Sequence, residues 1–131
     1  MRHQESSIQQ SCYSFFCNVM HPELKLLLFA VPNGGGRRAV EAQIMKAEGV
    51  TAGVSDMLLL VPSSGYHGLC LEFKRQWYED DEKGRLVLKK SYQRKEQKEW
   101  QEAVEAQGYR YVVIRSLQEF KDLVEDYLKK L

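Results

Sequence analysis

Residues 54–75 read VSDMLLLVPSSGYHGLCLEFKR, two short apolar runs around a Pro-Ser-Ser-Gly turn, and this stretch restricts the fold most tightly. Apolar runs of this length bounded by Gly, Pro and Ser form buried strands. The spacing predicts an antiparallel hairpin centred near Ser64, which sets Asp56 opposite Glu72, although a bulge shifts that register by one. Directly opposed side chains lie about 5 Å apart on one face. Alternation then places Glu72 and Lys74 on the face of Asp56 and sends Leu69, Leu71 and Phe73 the other way, into a core.

Opposed carboxylates repel. A divalent cation compensates, and Mg²⁺ is held by one or two carboxylates together with water and substrate phosphates. A lysine beside such a site orients the attacking water and neutralises charge developing on phosphorus. An acid followed by Glu-x-Lys on the neighbouring strand therefore suits phosphodiester hydrolysis. The same residues also fit a plainer account, in which Asp56 opens a strand next to a turn and Glu72 and Lys74 occupy a half-exposed edge. The spacing alone does not separate the two.

The remaining chain reads as an alternation of helices and strands. Ile8, Cys12, Phe15, Phe16 and Val19 mark the apolar face of a helix over 5–20, with Glu5 on the same stripe, and His21-Pro22 ends it. Residues 24–31 are a continuous apolar run that reads as a buried strand, broken by the Pro-Asn-Gly-Gly-Gly that starts at Pro32. Residues 37–48 form a helix closed by Gly49. The charged stretch 76–90 is a mobile insertion or a small hairpin. A helix covers 92–107 and ends at Gly108, a strand follows over 109–115, and Ser116 and Glu119 form a capping box for a last helix. Phe120, Leu123, Val124, Tyr127, Leu128 and Leu131 give that helix its apolar stripe. The order α-β-α-β-β-α-β-α predicts a single α/β domain over 1–131, a mixed sheet flanked by helices.

With 131 residues the chain supports one core, and its formal net charge of +1 argues against a tail-like nucleic-acid binder while leaving room for a local basic patch. No apolar run approaches the ~18 residues of a membrane span, and the polar N-terminus lacks the apolar stretch of a signal peptide. Cys12, Cys17 and Cys70 lie in apolar contexts without zinc-ligand spacing and read as free thiols of a reducing, cytoplasmic compartment.

Five stretches, VPNGGGRR, KAEGVTAGVSDMLLLVP, GLCLEFKR, EQKEWQEAVEAQGY and the tail from YVVIRSLQEF, occur in an order that resembles the VRR-NUC family. These are virus-type replication-repair nucleases of the restriction-endonuclease-like PD-(D/E)xK superfamily, and the likeness is to the small stand-alone phage and bacterial members. The resemblance implies a metal-dependent endonuclease using Mg²⁺ or Mn²⁺. Asp56 and Glu72 would be metal ligands with the Phe73 carbonyl, Lys74 the catalytic lysine, Glu5 an acid completing the site, and Gln97 the active-site glutamine. Where the family has Pro-Asp, this chain has Ser55-Asp56. Helix periodicity puts Gln97 on the stripe of Trp100 and Val104, which also fits an ordinary boundary residue, and helix N-termini favour acids such as Glu5 on general grounds.

The Gly-rich loop leading into a helix suits phosphate, with Asn33, Gly34, Gly35, Arg37 and Arg38 as contacts and Lys46 extending them; it also fits a plain flexible loop. Residues 83–98 concentrate Lys83, Arg85, Lys89, Lys90, Arg94, Lys95 and Lys98 against Glu96 alone, which aims them at a polyanion or simply solvates a surface. Trp77 and Tyr78 either stack on bases or pack a sheet edge. Stand-alone family members are homodimers that cut branched DNA, so the resemblance implies a homodimer acting on four-way (Holliday) junctions. The rival readings are a non-catalytic branched-DNA-binding module on the same fold, an RNA nuclease, and a small nucleotide-binding enzyme. The last lacks the Gly-x-Gly-x-x-Gly or Gly-x4-Gly-Lys spacing.

Overall fold

The computed structural model describes residues 2–32 and 38–129. Helix α1 runs Arg2–Phe15, strand β1 Leu28–Ala30, α2 Ala39–Ala47, β2 Met57–Leu59, β3 Leu69–Phe73, β4 Gln76–Asp80, β5 Leu86–Lys90, α3 Lys95–Ala106, β6 Arg110–Ile114 and α4 Leu117–Leu128. The main sheet has the order β1-β2-β3-β6, and β4 and β5 form a separate two-stranded ribbon. β1, β2 and β3 pair antiparallel and β3 pairs parallel with β6, so the sheet is mixed. A mixed sheet flanked by helices is present, as expected, and the stretch 76–90 adds the two strands of a small hairpin to the expected series.

β2 and β3 pair Met57 with Leu71 and Leu59 with Leu69, the register anticipated from the turn centre. At the tip, Ser63 and Tyr66 exchange backbone hydrogen bonds across Ser64 and Gly65, whose φ values are +52° and +85°. Two consecutive positive φ angles give the primed turn that matches strand twist. The interval from Leu59 to Ser63 is one residue longer than that from Tyr66 to Leu69, so the extra residue is absorbed between ladder and tip. The ladder that aims Asp56 is untouched.

Leu69, Leu71 and Phe73 face one side of β3 and join a core with Met57, Leu59, Phe16 and the α4 residues Phe120, Leu123, Val124, Tyr127 and Leu128. Burying each such side chain contributes roughly 1.5–3 kcal/mol. Tyr127 also donates its hydroxyl to the Val61 carbonyl at 2.7 Å, which ties α4 to the far end of the hairpin. Ser116 caps α4 by accepting from the Glu119 N–H, whereas the Glu119 carboxylate accepts from Arg115 N–H and not from Ser116, so only half of the expected box closes. Leu131 lies outside the described residues. Cys12, Cys17 and Cys70 are unbonded thiols, and burial pushes the first up to about 12 and the last to about 11, leaving both inert.

Three further local expectations are corrected. The first helix passes into a π-helical turn at Phe16–Met20, closed by the His21 N–H on the Phe16 carbonyl. The wider turn rotates Val19 outward, where it is 62% exposed, and brings Met20 against the core. The apolar run 24–31 is not one strand: Pro22–Leu27 forms a 3-10 helix with Pro at its start, Leu26 is exposed, and only Leu28–Ala30 pairs. A continuous apolar run carries no period, so it does not reveal where extension begins. The third helix also starts at Lys95, three residues later than its sequence suggests.

Candidate active site

The second face of β3 carries the polar groups. Glu72, on a strand that is buried along its whole length, is 2% exposed, and Lys74, the residue just after that strand, is 8% exposed. Asp56 precedes β2, and its carbonyl accepts from Val31 N–H at 2.8 Å. Its Oδ2 accepts from the Phe73 N–H at 2.7 Å, so Asp56 is latched onto the backbone of the strand that presents Glu72 and Lys74. The β2–β3 register continues to set Asp56 opposite Glu72, and the charge of one carboxyl acts on the other. Ser55, where a proline was expected, is fully buried, and its hydroxyl donates to the Met57 carbonyl, holding the approach to Asp56.

Burial first, and then the hydrogen bond and charge of Asp56, push the Glu72 carboxyl up to about 9, against the pull of Lys74 and Tyr111. This is the signature of acids forced together in a dry place. Tyr111, on β6, donates its hydroxyl to Glu72 Oε2 at 3.3 Å.

The same groups line a cleft of about 900 Å³ that also takes in Glu5, Lys46, Tyr92, Arg94 and Gln97. Gln97 is 6% exposed, and its Oε1 accepts from the Arg94 N–H at 2.9 Å, so it closes the first turn of α3. With the oxygen thus engaged, the amide offers the cleft a donor. Glu5 is half-buried and its Oε2 accepts from Arg75 N–H and from the Ser91 hydroxyl, each at 3.2 Å. It therefore joins α1 to the base of the β4–β5 ribbon. Arg115 closes that base from the other side, donating to the Ser91 carbonyl at 2.9 Å and the Arg75 carbonyl at 3.2 Å.

Gly53 sets how closely the Asp56 loop approaches α3. Its φ is +87°, and a Cβ there would overlap the Glu96 carbonyl and crowd Gln97 N. Gly53→Ala is expected to cost about 2–3 kcal/mol through combined strain and overlap, read from urea unfolding of the pure protein.

Of the anticipated phosphate contacts, Lys46 lines the cleft, Lys89 and Lys90 stand just before Ser91 at the ribbon base, and Arg38 is exposed beside Glu41, to which it is ion-paired at 3.1 Å. Asn33, Gly34, Gly35 and Arg37 lie outside the described residues. Tyr92 and Arg94 join the cleft without having been singled out for it. Tyr111 was read only as a strand residue, although a hydroxyl on a buried strand face signals a polar partner.

Among the described residues no three Asp, Glu, His or Cys side chains are grouped so as to hold an ion by themselves. Glu5 thus lines the cleft without completing a three-carboxylate cluster. Two converging carboxylates, one of them buried and repelled by the other, fit a hard cation that completes its shell from carbonyl, water and phosphate oxygens. They do not fit a structural zinc site, which is closed by four protein ligands.

The mixed sheet and the helices that flank it define the fold that holds this cleft. A solved structure titled VRR_NUC domain protein superposes with a TM-score of 0.73, 24% sequence identity, and coverage of 96% of this chain and 88% of that chain. The chain shares that protein's fold. No protein-family model matches it, and no curated protein does. Among the described residues no helix is long and apolar enough to cross a membrane.

Proposed function

We propose that the chain is a stand-alone member of the VRR-NUC family, a Mg²⁺- or Mn²⁺-dependent DNA endonuclease selective for branched DNA such as four-way junctions, working as a homodimer in the cytoplasm. The observation that carries this reading is the meeting of Asp56, Glu72 and Lys74 on the wall of one cleft, with Gln97 and Glu5 beside them. The resemblance seen in the sequence and the shared fold support it.

Asp56, Glu72 and the Phe73 carbonyl would hold the ion, which would supply Lewis acidity at a phosphate oxygen and at water. Lys74 orients the attacking water and offsets negative charge as it grows on phosphorus. Gln97, its oxygen tied to Arg94, donates from its amide nitrogen toward a phosphate or water oxygen. Glu5 holds the ribbon base against α1, which keeps Arg75 and Ser91 beside the acids. Lys46, Lys89, Lys90, Arg94 and the loop with Asn33, Gly34, Gly35, Arg37 and Arg38 grip backbone phosphates. A two-fold dimer presents two such sites to two strands, as a four-way junction requires.

The test is cleavage of a labelled four-way junction, a linear duplex of the same sequence and an RNA counterpart, each with Mg²⁺, Mn²⁺ or chelator. Junction cutting that needs the ion and exceeds cutting of duplex and RNA is expected. Binding of the junction without cleavage in any metal would favour a non-catalytic module, and cutting in chelator would exclude the mechanism.

A further inference from the structure

Tyr111 pairs with Cys70 across the parallel β3–β6 ladder, so its side chain shares the sheet face of Glu72. The ring is 7% exposed and packs against Trp100, with centroids 6.1 Å apart and planes tilted by 59°. In that position the side chain is largely shielded from solvent, and its hydroxyl finds a partner within the protein.

Glu72 Oε2 lies 3.3 Å from the hydroxyl. Gln93 stands beside it and favours the deprotonated phenol. Gln93 is fixed in turn by donating to Gln101 Oε1 at 2.7 Å. A phenol has one proton to give, and Tyr111 gives it to Glu72. The arrangement is directional, running from the hydroxyl to one carboxylate oxygen. It leaves the second oxygen of Glu72 for Asp56 and the cleft.

We propose that Tyr111 is a positioning residue that fixes the rotamer of Glu72 for cation binding. This assignment rests on the metal-nuclease reading above. The buried hydroxyl directs its one proton at the acid that would take up the ion. Groups that orient a metal ligand from behind typically alter metal affinity about 10–100-fold when removed.

The experiment is Mn²⁺ binding by calorimetry to the purified full chain at fixed pH, for wild type, Tyr111→Phe, Gln93→Leu and the double variant, with thermal unfolding of the metal-free proteins alongside. Tyr111→Phe keeps the ring against Trp100 and removes one oxygen. It is expected to weaken Mn²⁺ about tenfold. Gln93→Leu weakens it less, and the double variant binds no worse than Tyr111→Phe alone, because both act through one hydrogen bond. Should Tyr111→Phe fail to fold, Gln93→Leu probes the same arm from its half-buried end. Wild-type binding with both single variants within about twofold of it overturns the assignment alone, as does a double variant that loses the product of the two single effects. Absence of Mn²⁺ binding by the wild type overturns the nuclease reading and this assignment with it.

Discussion

Lys74→Ala is expected to lower four-way junction cleavage by about 10³-fold while the protein still folds and still binds Mn²⁺. The backbone at this position is held independently of the side chain, since Lys74 N–H donates to the Ile114 carbonyl at 3.0 Å within the β3–β6 pairing. Truncation to alanine removes the ammonium and leaves no charge behind. What disappears is a cation in a nearly dry wall of the cleft, where it acts on developing phosphate charge without solvent screening. Lys74→Arg is not expected to rescue, because a planar, always-charged fork neither fits the same space nor gives up a proton. Single-turnover cleavage at saturating metal, with circular dichroism and Mn²⁺ binding as controls, reads the effect. Full activity in Lys74→Ala would remove the lysine from the mechanism.

Glu72→Gln is expected to act in the opposite sense on stability. The Glu72 carboxyl stands at about 9 in the folded, metal-free protein, against an ordinary value of 4.5. A group raised on folding stabilises the fold while it holds its proton, so that contribution is complete below about 4.5 and is lost as pH climbs toward about 9. Metal-free wild type should therefore lose thermal stability between these limits. Glutamine resembles the protonated acid, donating toward Asp56 and accepting from Tyr111, so the variant should lose most of that slope. At pH 8 it is expected to melt about 5 °C or more above metal-free wild type. Mn²⁺ should raise the midpoint of the wild type at pH 8, where the ion displaces the proton, and leave the variant nearly unmoved. A variant that melts below wild type at pH 8 would mean that Glu72 is held by compensating charges and not by a shared proton.

The centre of the site was legible because it lies within one local hairpin. Pro62, Ser63, Ser64 and Gly65 mark the turn, the extra residue between tip and ladder restores the register centred on Ser64, and alternation does the rest for Asp56, Glu72 and Lys74. Gln97 was legible because its helix has a clear period. Tyr92, Arg94 and Tyr111 were not, because their approach to the cleft depends on how α3 and β6 dock. That docking is set by contacts such as Gly53 against Glu96, which no local pattern encodes. The π-helical turn was hidden for a different reason. A one-residue widening leaves the composition of the apolar face unchanged and shows itself only in which residue, Val19 or Met20, turns inward.

The β4–β5 ribbon satisfies its own hydrogen bonds, from Gln76 with Lys90 at the base to Asp80 with Leu86 near the tip. Its turn folds around Asp81, whose carboxylate accepts from the Lys83 and Arg85 backbone N–H groups, and the ribbon meets the body of the protein through its base. Extra sequence spliced into residues 82–84 would thus hang from a self-contained stalk and would not perturb the sheet. Such a graft would start one short strand away from the cleft, which makes this loop a natural port through which the scaffold can acquire a targeting module.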